Sequence, residues 1–231
     1  MKKLRLGEFE RNSLVVFAIT MIANVLSYLY QIVMGNVLTP ADYGTVNTLL
    51  SLSVVVGVPS GIISVLTATY TAKYHAHGET FAIAAFMHGM LRVAAVLAAI
   101  VFVAGALLSR PIAHVLQIDD PHYVTVVMVL VASNCLGPVF SSTLQGVKRF
   151  IPYSMNSVLS FAFRLLLGVI FVWLGWGIPG ALAALILAAC LTMLYCLFKS
   201  RDLFFAPVKE NLALDRTEIR RYFVSTFWFQ L

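Results

Sequence analysis

Pro152–Trp173 reads PYSMNSVLSFAFRLLLGVIFVW: 22 residues carrying one charge, Arg164, and no carboxylate. About 20 mostly apolar residues suffice for a helix to cross the hydrocarbon layer of a bilayer. Around this stretch, the 231-residue chain holds five more such runs. Together the six cover 12–34, 44–72, 81–108, 122–144, 153–174 and 177–198. With 60% hydrophobic residues, the chain carries more apolar surface than a soluble domain of this size conceals. The fold class expected is an all-α polytopic membrane protein with six transmembrane helices.

The loops orient the helices. Thirteen of the 16 Lys and Arg residues lie in residues 1–11, 73–80, 145–152 and 199–221, all on one side of the expected bilayer. The opposite side has only Arg110, and Arg92 and Arg164 fall inside spans. Cytoplasmic loops are enriched in Lys and Arg, so the N-terminus is placed in the cytoplasm and the protein in the inner (plasma) membrane. The net charge of +6 is thereby a topology signal and not a nucleic-acid patch. Residues 1–198 form the transmembrane lobe, 199–220 a cytoplasmic linker, and 221–231 the start of a seventh span. That last run stops after about three helical turns, which marks the sequence as a fragment or a truncated product.

Several local signals refine this layout. In Leu38-Thr39-Pro40-Ala41-Asp42-Tyr43-Gly44, Thr39 is placed to cap a helix that begins at Pro40, with Asp42 at its positive end. Asp119 and Asp120 precede Pro121 at the start of the fourth span. Ser109-Arg110-Pro111, followed by Ile112, Val115 and Leu116, predicts a short amphipathic helix on the outer surface. Pro59 lies mid-span and predicts a kink. The sixth span, rich in alanine and leucine, reads as a peripheral packing helix. Cys135, Cys190 and Cys196 form no CxxC pair and read as small buried apolar residues.

Polar and small residues recur at helical spacing: Thr20, Asn24, Ser27 and Gln31 in the first span; Ser53, Gly57, Ser60, Ser64, Thr67 and Thr71 in the second. Ser133, Gly137 and Ser141 share one side of the fourth, near Asn134 and Gln145; Ser157, Ser160, Arg164 and Gly168 share a face of the fifth. Each set lies on one helix face. Two readings fit: close helix packing through small residues, or a hydrated surface facing a ligand. For Asn24 and Gln31 the second is preferred, since unpaired amides are costly in lipid.

A charge at bilayer depth costs at least about 2.5 kcal/mol, so it faces protein, water or a ligand. Arg164 is expected to face a cavity, where its guanidinium suits bidentate contact with phosphate oxygens. Arg92 either snorkels to the interface or joins that cavity, and His88 shares its face one turn away. All ten carboxylates lie outside the spans. A cation exporter driven by protons or sodium generally needs an intramembrane acid. No nucleophile–base signature, metal-ligand pair on one helix face or glycine-rich phosphate loop is present, so no enzyme, metal or cofactor is expected.

The sequence resembles the oligosaccharide flippases of the polysaccharide transporter family, within the multidrug/oligosaccharidyl-lipid/polysaccharide exporter superfamily. The resemblance rests on Leu38-Thr39-Pro40-Ala41-Asp42-Tyr43-Gly44, Leu144-Gln145-Gly146-Val147-Lys148-Arg149-Phe150, Arg164-Leu165-Leu166-Leu167-Gly168 and Gly175-Trp176-Gly177-Ile178-Pro179-Gly180. It implies the N-terminal lobe of a two-lobe fold around a cationic cavity, with the C-terminal lobe missing. It further implies transport of a lipid-pyrophosphate-linked oligosaccharide to the outer leaflet by alternating access, alongside polysaccharide polymerase and glycosyltransferases. The expected substrate-binding residues are Arg164, Arg92, His88, Asn24 and Gln31. A multidrug exporter of the same fold and a non-transporting membrane scaffold of a polysaccharide assembly complex are the alternatives.

Overall fold

A computed structural model of the chain describes residues 2–118 and 120–204, with side chains from Ser13 onward. The described residues form eight helices: α1 (Lys2–Val37), α2 (Pro40–Val56), α3 (Val58–Ala76), α4 (Thr80–Leu107), α5 (Ser109–Val115), α6 (Pro121–Gly146), α7 (Phe150–Trp173) and α8 (Gly177–Phe204). Five of them are long and apolar enough to cross a membrane, and α2 with α3 makes a sixth, broken span bent by 49°. The chain is a multi-pass membrane protein of all-helical fold, as its hydropathy pattern predicts. Helix α8 runs on to Phe204, into the stretch read as linker, and the expected seventh span at 221–231 lies outside the described residues.

The caps follow the sequence. Thr39 Oγ1 accepts from the Asp42 amide at 3.2 Å and donates to Asp42 Oδ2 at 2.8 Å, with Pro40 opening α2. These contacts satisfy one of the amides that every helix start leaves without a helical partner. Asp120 does the same for α6, its Oδ1 accepting from the His122 amide at 2.9 Å. The kink expected at Pro59 is a full break: α2 stops at Val56, Gly57 forms the joint, and Pro59 sits in the first turn of α3, where its missing amide proton costs nothing. Short helix α5 forms where the amphipathic pattern predicts it, burying Ala113 and packing on α6.

Helix α6 is the hub, packed against α2, α3, α4, α5, α7 and α8, while α1 lies along α7 and touches α2. Lipid tails are as apolar as leucine, so close packing and not water exclusion holds such helices together. Glycine makes that approach possible at two crossings. A Cβ on Gly146 of α6 would sit 2.7 Å from Thr71 Cβ and 2.8 Å from the Ala68 carbonyl oxygen of α3. A Cβ on Gly168 of α7 would sit 2.6 Å from Met34 Cε of α1. Helix α8 is not peripheral, contrary to its expected role. Its Ala181, Leu182, Ala184, Leu185 and Ala188 are fully buried against neighbours that include α6 and α7. Small alanines let those backbones close in from more than one side, which composition alone does not distinguish from an exposed leucine–alanine helix.

Candidate substrate cavity

A cavity of about 580 Å³ opens in the bundle between the α2–α3 break, α6, α7 and α8. The broken span contributes Leu50, Ser53, Val54, Gly57 and Ser60; α6 contributes Leu130, Ser133, Asn134, Gly137, Pro138 and Ser141. From α7 come Asn156, Ser160 and Arg164, and from α8 Ala189, Thr192, Met193 and Cys196. On α7 the three polar positions recur every four residues, which stacks them on one face. Pro138 stands inside α6 and has no amide proton, so it offers nothing to the carbonyl of Asn134 one turn earlier.

Arg164 is the sole charged residue in this lining. Its Nε is fully buried and has no hydrogen-bond partner among the described residues. The guanidinium carbon lies 5.6 Å from the centre of the Phe161 ring, a cation–π contact that leaves its N–H groups available. The Tyr30 hydroxyl of α1 is likewise buried and unpartnered among the described residues. The ion pair of the described region is Arg149–Asp202, both partly exposed and beyond the apolar spans expected from sequence. A partly buried guanidinium left this way favours an anionic partner: two unit charges 4 Å apart interact by about 4 kcal/mol at an effective dielectric constant of 20.

Hydroxyls in the lining are partly spoken for. Ser53 donates to Leu50 O at 2.7 Å, Ser60 to Gly57 O at 2.6 Å and Ser133 to Val129 O at 2.9 Å. The polar stripe of the second span divides about one turn past the break, between Ser60 and Ser64. Ser53, Gly57 and Ser60 line the cavity, whereas Ser64 shares a 2.7 Å hydrogen bond with Ser142, and Thr67 and Thr71 are buried where α3 meets α6. One part of the stripe thus lines the cavity, and the other packs helix against helix.

Arg164 is the one expected site residue among those lining the cavity; the other four lie elsewhere. Arg92 is exposed on α4, and Asn24 and Gln31 are exposed on α1. His88 is half-buried, with Nδ1 2.8 Å from Ala84 O and its ring stacked on Phe204 at 4.4 Å between centroids. Sequence reasoning missed Asn156, Thr192 and Cys196. The available signal was that Asn156, Ser160 and Arg164 keep the spacing of one face, and that Thr192 and Cys196 do so on the next span.

Comparison with known proteins places this geometry in a family. The chain superposes on a transporter of the MOP superfamily from Pyrococcus furiosus, described as having a binding pocket of reverse polarity that suggests a different function. The TM-score is 0.72 at 16% identity, over 95% of this chain and 51% of the other. It also superposes on an outward-facing multidrug resistance MATE family transporter, with TM-score 0.68 and 17% identity over 92% of this chain and 50% of that one. A third, MATE in complex with Br-NRF, gives 0.69 and 17% over 95% and 52%. The chain thus spans about half the length of these structures and fits an N-terminal half of the superfamily's fold. No curated protein matches the sequence. Residues 9–231 match the model of the polysaccharide biosynthesis protein family, and the chain belongs to that family.

Proposed function

We propose that this chain is the N-terminal lobe of a flippase that carries lipid-pyrophosphate-linked oligosaccharide from the cytoplasmic to the outer leaflet by alternating access. The protein serves cell-surface polysaccharide synthesis from the inner (plasma) membrane, with its N-terminus cytoplasmic. Polysaccharide polymerase and glycosyltransferases act before and after it, and a second lobe completes the cavity. One observation carries the reading: a lone guanidinium, unpaired with any carboxylate among the described residues, lines a cavity of mixed polar and apolar walls inside an apolar bundle. Arg164 holds the pyrophosphate, and hydroxyl and carboxamide groups of α6, α7 and α8 take the place of water around the sugars. An inward and then outward opening of the cavity spares the head group its desolvation in lipid.

The test is export of surface polysaccharide by cells carrying Arg164→Ala in the full-length protein, at matched protein level. Export is expected to collapse; undiminished export removes Arg164 from the mechanism. Transport of organic cations without any lipid-linked sugar would favour the multidrug alternative, which the neutral or cationic lining disfavours. Binding of assembly enzymes without translocation in vesicles would favour the scaffold.

A further inference from the structure

The cavity has two chemically different ends on one helix face. Arg164 and Asn156 both line it, two turns of α7 apart, which is about 12 Å along the helix axis. Between them Ser160 also faces the cavity. Asn156 is held from α8: the Cys196 thiol donates to Asn156 Oδ1 at 3.2 Å. That contact occupies the carbonyl side of the carboxamide. Both protons of Nδ2 remain, and no described residue accepts them. A carboxamide anchored on one side and unpaired on the other is a preset donor, because the rotamer entropy of ordering it is already spent in the folded lobe.

Resting on the flippase reading above, we infer that Asn156 is a specificity residue that donates from Nδ2 to an acceptor oxygen of the glycan's first sugars, while Arg164 binds the pyrophosphate. Cys196 acts through Asn156 as a positioning residue. A polar site that loses a bound oxygen is left with unpaired buried donors, which is how hydrogen-bonding sites reject ligands lacking the group.

Two probes separate the roles: farnesyl pyrophosphate, and the same lipid bearing one N-acetylglucosamine on its pyrophosphate. Affinities are measured by titration calorimetry on the full-length protein in lipid nanodiscs. The sugar-bearing probe is expected to bind the unaltered protein more tightly. Asn156→Leu should erase that increment, weakening the sugar-bearing probe about tenfold and leaving farnesyl pyrophosphate unchanged. Cys196→Ser keeps a donor to Oδ1 and should retain the increment, whereas Cys196→Ala should reduce it. Arg164→Gln should weaken both probes alike. An increment untouched by Asn156→Leu, or equal weakening of both probes, overturns the assignment of Asn156. Should Asn156→Leu fail to fold, Asn156→Ser, which shortens the donor, must remove the increment instead. Unchanged binding of both probes to Arg164→Gln overturns the pyrophosphate reading, and the increment still reports on Asn156 separately.

Discussion

Gly146→Ala is the most exacting test of how the lobe is packed. The added methyl would stand 2.8 Å from the Ala68 carbonyl oxygen and 2.7 Å from Thr71 Cβ, both well inside contact distance. The Ala68 oxygen is backbone and Thr71 Cβ is fixed to it, so relief requires α3 and α6 to separate along their crossing. Overpacking of this kind costs about 1–3 kcal/mol. At roughly 2–4 °C per kcal/mol for a chain of this size, the unfolding midpoint should fall by several degrees. Gly137, on the same helix, supplies the control: a Cβ there meets nothing within 4 Å, because it points into the cavity. Gly137→Ala should be neutral, or stabilising by up to about 1 kcal/mol through helix propensity. The chain carries its own reporter, since Cys135 is a buried free thiol outside the cavity lining that reacts with a fluorogenic maleimide once the bundle opens, read in a protein with Cys190 and Cys196 replaced by serine. Equal midpoints for Gly146→Ala and Gly137→Ala would refute the close α3–α6 crossing.

Other outcomes follow from the same geometry. Arg164→Lys keeps the charge but loses the planar fork, so export should fall between the unaltered protein and Arg164→Ala in the polysaccharide assay. Thr39→Ala removes the cap of α2 and should lower stability by about 1 kcal/mol, read as a lower thermal midpoint of the purified protein. Asp202→Asn breaks a pair that is 42% and 51% exposed, so its cost should stay below about 1 kcal/mol by the same thermal measurement.

Spans and the Thr39 cap were legible because they depend on local quantities: the apolar length of a helix, and a Thr directly before a proline. Arg164 was legible for a related reason, since one charge in an apolar run has few places to go. Asn156, Thr192 and Cys196 were not. Thr192 and Cys196 are modest polar groups among leucines and alanines, Asn156 sits beside serines that share its polarity, and only the docking of α8 on α7 makes them neighbours. The stripe of α1 shows the converse. Asn24 and Gln31 share a face as their spacing requires, yet α1 packs along α7 and leaves both exposed on this lobe. Periodicity tells which residues share a face and is silent on what that face meets. The second span needed both answers at once, because its stripe crosses from cavity wall to helix contact between Ser60 and Ser64, just past the Gly57 break.

Pro138 gives the cavity wall a property that side-chain genetics does not reach. The carbonyl oxygen of Asn134 has no amide offered to it from residue 138, whatever side chain residue 134 carries. That missing helical bond does not depend on the side chain at 134, and only a change at Pro138 itself would restore it. A scan that replaces the other lining residues one at a time would therefore leave this weak point in the α6 ladder in place throughout, and a substitution at Pro138 would alter the backbone of the wall as well as its side chain.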